Sequence, residues 1–323
     1  MIPSGSFSGR FDIRVYDANT GRLTKSRSFP NLITNQGLAS YCGAAPSFFS
    51  SRICVGDGTA TPAVTDTQLN HFIASSDTEL GGGIFNGGHG NNGAPDYISW
   101  TKGTARFNAG RFNGTTITEV GVTNWNADSP VFSRALILDE HGNPSSVVIL
   151  ANEYFDVTYT LFYHPDLTDT QFSFEMNGVT YNCVARACSV AQSAFANSGN
   201  TSPLVAGVLS VYLVTNSQTL GDITGVPIYG PGGAIDFQGR NGAMVPYSTD
   251  TPYTHRSNVL LGLTDGNFEG GIGSMTMGPN LYYPGGITSY TQVSFTPKLP
   301  KDANTEITLT LAKTVSRYVA PTP

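Results

Sequence analysis

Five histidines, four cysteines and a modest set of acids are the residues of this 323-residue chain with chemistry to offer, and their spacing limits what they can do. His71, His89, His141, His164 and His255 show neither an H-E-x-x-H nor an H-x-H pattern, so no local segment brings two imidazoles to one metal. Cys183 and Cys188 form a C-x4-C without a second close pair or a nearby histidine. Together with Cys42 and Cys54 they read as buried free thiols, since a structural zinc site needs four converging ligands. No G-x-S-x-G elbow occurs, and Ser, His and Asp stand at no spacing that marks a nucleophilic triad. The expectation is a chain with no cofactor, no metal and no enzymatic activity. One rival chemistry survives, because glycoside hydrolysis needs only two carboxylates about 5 to 10 Å apart, drawn from anywhere in the sequence. Asp236, Asp250, Asp265 and Glu269 are the candidates for it in the loop-rich portion.

Three further constellations invite a function and have a plainer reading. Gly56-Asp57-Gly58-Thr59 resembles an ion or phosphate cradle, but neither the Gly-Lys-Ser/Thr of a phosphate loop nor the spaced acids of a calcium loop follow. It reads as the tight turn after a strand at 53–55. Glu119, alone in a β-branched stretch, is better placed to pair across strands with Arg134 than to catalyse. The aromatic residues are more suggestive. Tyr229, Tyr247, Tyr253, Tyr282 and Tyr283, with Tyr290, Phe237 and Phe268, sit among Gly, Asn and Ser, the composition of adaptable recognition surfaces. These five tyrosines at 229–283 are the candidate binding residues, for a subunit contact or for stacking on sugar; the plainer alternative is that they cover the end of a β core.

The elements that must position these residues are strands. Charged residues are only 12% of the chain, while 37 Gly and 19 Pro supply turns, so long amphipathic helices are not expected. Period-two alternation appears at Phe11, Ile13 and Val15, at Val157, Tyr159, Leu161 and Tyr163, at Phe172, Phe174 and Met176, and at Ile307, Leu309 and Leu311. Hairpin turns are predicted at Asn19-Thr-Gly21, at His141-Gly-Asn-Pro144 joining 134–139 to 146–150, and at Asn177-Gly178. Short helices are predicted at 36–41 after Thr34-Asn35, at 65–72 and at 187–196. Residues 81–95 read as a long exposed loop, and 225–286 as a second irregular region.

Charge and hydropathy exclude two partner classes. A net charge of −6 with no basic run argues against nucleic acid, and no apolar stretch is long enough to span a bilayer. The first nine residues lack a basic and an apolar export region, so synthesis and assembly are expected in the cytoplasm.

Against that background two segments stand out. Asn31-Leu-Ile-Thr-Asn-Gln-Gly-Leu38 runs on to Ile53-Cys-Val-Gly-Asp-Gly-Thr-Ala-Thr-Pro-Ala-Val-Thr-Asp-Thr-Gln-Leu69, and Ile117-Thr-Glu-Val-Gly-Val122 leads to Phe132-Ser-Arg-Ala-Leu-Ile137. Over roughly residues 11–165 the chain resembles tail-collar, tail-fibre and baseplate-type structural proteins of tailed bacteriophages. These share an LIT-x-x-G-L entry, a VG-x-G-T…TDT-x-L turn and an ITEVG…ARA-x-I strand pair. Where such proteins often continue with a charged Asn-Glu-x-x-Arg run, this chain has Asn70-His-Phe-Ile-Ala-Ser-Ser-Asp77, and its Gly-rich stretch falls before the ITEVG strand.

The expectation is therefore an all-β protein, an antiparallel, jelly-roll-like sandwich with long Gly/Tyr-rich loops and few short helices. Its organisation is expected as a core at 1–190, a loop-rich insertion at 191–285 and returning strands at 286–323 that rejoin the first sheet. The resemblance implies a virion component at the tail end, collar or baseplate, partnered with itself as a trimer or sixfold multiple and with other tail proteins. Two rivals are a host-glycan binding module and a glycan-degrading tail enzyme. The missing β-solenoid repeat and the sparse acids weigh against the enzyme.

Overall fold

The alternating stretches fold as strands. The computed structural model describes residues 2–42, 52–80, 85–89, 98–123, 130–189, 209–222, 235–236, 243–245, 248–250, 253–279 and 289–320. In chain order the strands are β1 (Ile2–Asp17), β2 (Leu23–Pro30), β3 (Leu32–Ile33), β4 (Arg52–Gly56), β5 (Phe72–Ser75), β6 (Phe85–His89), β7 (Ser99–Phe107), β8 (Thr115–Ile117), β9 (Glu119–Thr123), β10 (Val131–Leu136), β11 (Val147–Ile149) and β12 (Glu153–Pro165). There follow β13 (Thr170–Met176), β14 (Val179–Ser189), β15 (Leu209–Thr215), β16 (Ile235–Asp236), β17 (Ala243–Met244), β18 (Thr254–Leu261), β19 (Ile272–Pro279), β20 (Ser289–Leu299) and β21 (Ile307–Arg317). The single described helix, α1 (Asn35–Tyr41), starts at an N-cap Thr34 whose side chain accepts from the Gly37 amide.

These strands make a nearly all-β, sandwich-like fold of several sheets. The largest is ordered β17-β18-β21-β1-β12-β7-β6, with β2 also paired to β1. A second is β3-β10-β9-β4-β5, β8 and β11 form a ribbon, and a third sheet is β13-β14-β20-β19-β15-β16. One apolar core lies under β1, β7 and β12, where Phe11, Val15, Phe107, Phe155, Val157 and Tyr159 are sealed from solvent, and joins the inward face of β4 and β9. A second core, containing Tyr181, Val211, Val259, Ile272, Met275 and Phe295, lies under the third sheet.

Turn chemistry fixes the hairpin between β13 and β14. Asn177 and Gly178 have φ of 52° and 75°, the left-handed pair of a type I′ turn. The β1–β2 turn also forms, with the Asp17 carboxylate accepting from the backbone of Asn19 and Thr20.

Several expectations are corrected. Residues 65–72 form turns and the start of β5, because Asp66 is used in an ion pair and in accepting from the Ala63 amide instead of capping a helix. Residues 187–189 end β14; the remainder of that expected helix lies outside the described residues. The Gly-rich stretch is not all loop, since 85–89 pair with β7 as β6, and the irregular region contains two eight-residue strands, β18 and β19. The His141 turn closes only an isolated bridge between Leu138 and Pro144, and β11 pairs with β8 instead.

The sheets cut across the expected division at 190. β14 pairs with β20 and carries β13 with it into the third sheet, while β18 and β21 lie in the first. Of the returning strands, only β21 rejoins the first sheet, parallel to the start of β1.

Candidate functional site

The two faces of β9 divide the labour. Val120 and Val122 point into the main core, along with Ile53 and Val55 of β4. Glu119 and Gly121 take the other face, as period two requires, and with them Cys54, Gly56 and Arg134, which the register sets alongside. That face is roofed by residues 57–71.

Its centre is a buried ion cluster. The Arg134 guanidinium, 3% exposed, donates from Nε and Nη2 to Glu119 Oε2, both at 2.8 Å, and from Nη1 to Asp66 Oδ2 at 2.6 Å. Its Nη2 also donates to the Ala60 carbonyl at 2.8 Å. Glu119, with a fully buried side chain, accepts from the backbone amides of Asn70 at 3.1 Å and His71 at 2.7 Å. Arginine suits this place because its planar fork reaches three acceptors at once and stays charged when buried. Two glycines make room: a Cβ on Gly56 would stand 2.1 Å from the His71 carbonyl, and one on Gly58 would stand 2.4 Å from Glu119 Oε1. Thr118 Oγ1 ties the Gly58 carbonyl at 2.7 Å.

The adjoining entry segment is anchored to the same strand pair. Thr34 Oγ1 donates to the Val131 carbonyl at 2.6 Å, and Asn31 reaches Ser133 and, at 3.2 Å, the Tyr159 hydroxyl. A Cβ on Gly37 would meet the Phe132 carbonyl at 2.2 Å, so α1 packs backbone-close on β10. Chemically the cluster is a clamp: each Glu119 oxygen and the Asp66 oxygen facing Arg134 already accept hydrogen bonds from the chain itself. At its rim the exposed His71 Nδ1 contacts Asp57, and that hydrogen bond raises the imidazole above its usual range.

The chain matches no family model, no curated protein and no solved structure.

The expected Glu119–Arg134 pair is present, and the phosphate-cradle look of Gly56–Thr59 resolves into the roof of the clamp. Asp66 was missed as its third member because the Thr-Asp-Thr run resembles a helix cap. Tyr253 is half-buried at φ 60° and packs against the main core. Tyr229, Tyr247, Tyr282 and Tyr283 lie outside the described residues, as does Phe237. Phe268 is half-buried against the second core. Of the four acids, Asp265 is fully buried and accepts from the Gly262 amide at 2.8 Å, Asp250 and Glu269 are exposed, and Asp236 sits in β16.

Among the described residues no group of three or more His, Cys, Asp or Glu is placed to hold a metal, and no helix is long and apolar enough to cross a membrane. Cys42, Cys54 and Cys183 are buried free thiols, and burial pushes Cys42 up to about 12 and Cys183 up to about 11. His164 stacks on Tyr318 at 3.7 Å and hydrogen-bonds Ser8 at 2.8 Å.

Proposed function

We propose that this chain is a non-enzymatic structural component of a tailed-phage virion, located at the tail end, collar or baseplate. It acts there as a fibre, or as an adaptor that docks one, through homo-oligomeric assembly. The observation that carries the reading is the convergence of the phage-like segments on one architectural unit. The entry segment at 31–38 is stitched to β10, the turn segment supplies Asp66 and the two close glycines, and the strand pair supplies Glu119 and Arg134. Residues that look chemical in the sequence are thus used to pin a long irregular stretch over a sheet. That is the role expected of a shared framework in a family that varies its outer loops. Low charge and the exposed margins of β2 and β13 fit a chain whose remaining surface is covered by neighbours in a particle.

The test is to label the chain in purified particles and image them. A fixed copy number of three, six or twelve at the tail end is the expected result. Its absence from particles that are complete and infectious would overturn the proposal. Retention in particles together with loss of adsorption to host glycan on changing Tyr282 and Tyr283 would move it toward the receptor-binding rival.

A further inference from the structure

The margin of the third sheet carries an unusual strand. β13 lies at the end of the order, hydrogen-bonded to β14 on one side, and among the described residues no strand pairs with its other side. Margins of this kind are normally blunted by brevity, by Lys or Pro, or by a bulge. Four other described margins follow that rule: β3, β16 and β17 have two residues each, and β2 carries Lys25, Arg27 and Pro30. β13, Thr-Gln-Phe-Ser-Phe-Glu-Met, has seven residues in unbroken register with β14, no basic residue and no proline.

Its open hydrogen-bonding groups can be assigned. A two-residue turn at Asn177-Gly178 makes Met176 and Val179 the closing hydrogen-bonded pair, so alternate residues back along the strand also bond inward. Gln171, Ser173 and Glu175 therefore present their N–H and C=O groups outward, and all three side chains are exposed. The other face of the strand holds Phe172, Phe174 and Met176, half-buried on the second core, with Phe174 stacked on Tyr181 at 5.2 Å.

We propose that β13 pairs antiparallel with β13 of a second copy of this chain, about a two-fold axis at Ser173. The strand is self-complementary in this register and the geometry closes. Ser173 meets Ser173 of the second copy as a hydrogen-bonded pair, and Gln171 meets Glu175, whose carboxylate accepts from the Gln171 amide. On the other face Phe172 meets Phe174, and Thr170 meets Met176, so the apolar stripe continues across the axis. A shift by two residues in one direction sets Glu175 opposite Ser173 and leaves Gln171 beyond the pairing; one in the other sets Gln171 opposite Ser173 and leaves Glu175 unmatched. Neither keeps the amide–carboxylate pairs. The contact is isologous and closed, which stops the margin from seeding open-ended stacking. Seven residues a side is small against the roughly 1,200 Å² typical of stable complexes, so the dimer is weak in dilute solution and is favoured by high local concentration. The inference does not depend on where the protein resides.

Sedimentation of the purified chain over a range of concentrations, compared with charge variants at Gln171, tests both contact and register. In the proposed pairing residue 171 faces Glu175 of the other copy twice, once on each side of the axis. Gln171→Lys should tighten the dimer and Gln171→Glu should weaken it, each by roughly 2- to 30-fold in Kd at low salt, from two cross-strand pairs. Both changes are on an exposed position and leave folding intact. Ser173→Cys should give a reducible covalent dimer under mild oxidation, because residues paired across the axis lie about 5.5 Å apart at Cα, within disulfide reach. Val179→Cys, exposed but off the axis, should not. A strictly monomeric chain overturns the proposal, as does an oligomer indifferent to the sign of the charge at 171 or a Ser173→Cys variant that fails to cross-link. None of these outcomes bears on whether the chain is found in virions.

Discussion

Arg134 meets Glu119 on the diagonal of the β9–β10 ladder, not directly across it. The register places Gly121 opposite Arg134 and Leu136 opposite Glu119, and the guanidinium spans the step to bond Oε2 at 2.8 Å. Gly121 leaves the position beside Arg134 free of a side chain, and a Cβ there would stand 3.1 Å from Leu69 and 3.2 Å from the Cys54 sulfur. The pair is therefore fitted into the sheet, with the roof at 57–71 closed over it.

Because the pair is buried, removing one partner strands the other charge away from water. Arg134→Met should destabilise the fold by about 3–5 kcal/mol, and Glu119→Leu by a similar amount. The double variant Glu119→Leu/Arg134→Met should cost clearly less than the sum, since neither charge is then orphaned. Urea unfolding of the four proteins measures this coupling, and strict additivity would contradict the clamp.

The close glycines should be intolerant for a steric reason. Gly56→Ala puts a methyl 2.1 Å from a backbone carbonyl that has no flexible end to move, so a loss of about 1–3 kcal/mol is expected. Thermal unfolding of Gly56→Ala beside the wild type provides the measurement.

Acid sensitivity should trace in part to His164. Burial lowers its imidazole to about 4, from 6.5, with Tyr318 stacked on one face and the Ser8 hydroxyl in contact. A folded-state pKa below the unfolded value means that the unfolded chain binds more protons in the interval between them. The contribution is thus complete above about pH 6.5 and is lost as pH falls toward 4. His164→Phe keeps a ring against Tyr318 and removes the titration, so its stability should fall less steeply over that interval. Equal slopes in denaturation series at pH 7, 5.5 and 4.5 would contradict the assignment.

Thiol reactivity should separate the cysteines. Cys42, Cys54 and Cys183 are buried, and desolvation raises all three well above the pH at which thiolates form. Brief alkylation of the native protein at pH 8 should leave these three unmodified, whereas alkylation in denaturant should modify them. Mass spectrometry of the digests reads each site.

Local rules made a good part of this legible. Asn177-Gly178 states its turn because few other pairs accept two positive φ values in sequence, and Thr34 states its helix start because its hydroxyl is one rotation from the Gly37 amide. The Glu119–Arg134 pair was readable because Glu119 stands alone in a β-branched run and Arg134 in a short apolar one, with no other partner in view. Asp66 was not, since its acceptor is used 68 residues away and the same residue type would serve as a local cap. β6 and β18 escaped for a related reason: Gly in the one, and Arg256, Ser257 and Asn258 in the other, hide a period of two that a neighbouring strand enforces.

The sequence by itself determined that the backbone would run as alternating strands with tight turns, because side-chain period and turn residues act over a few positions. Only the tertiary structure decided which strands meet. It set β21 parallel to β1, carried β13 and β14 into a sheet with β19 and β20, and gathered Asp66, Glu119 and Arg134 under one roof. Pairing between distant strands depends on which apolar faces can be buried together once loop closure is paid for. That balance is a property of the whole chain and is written in no single segment.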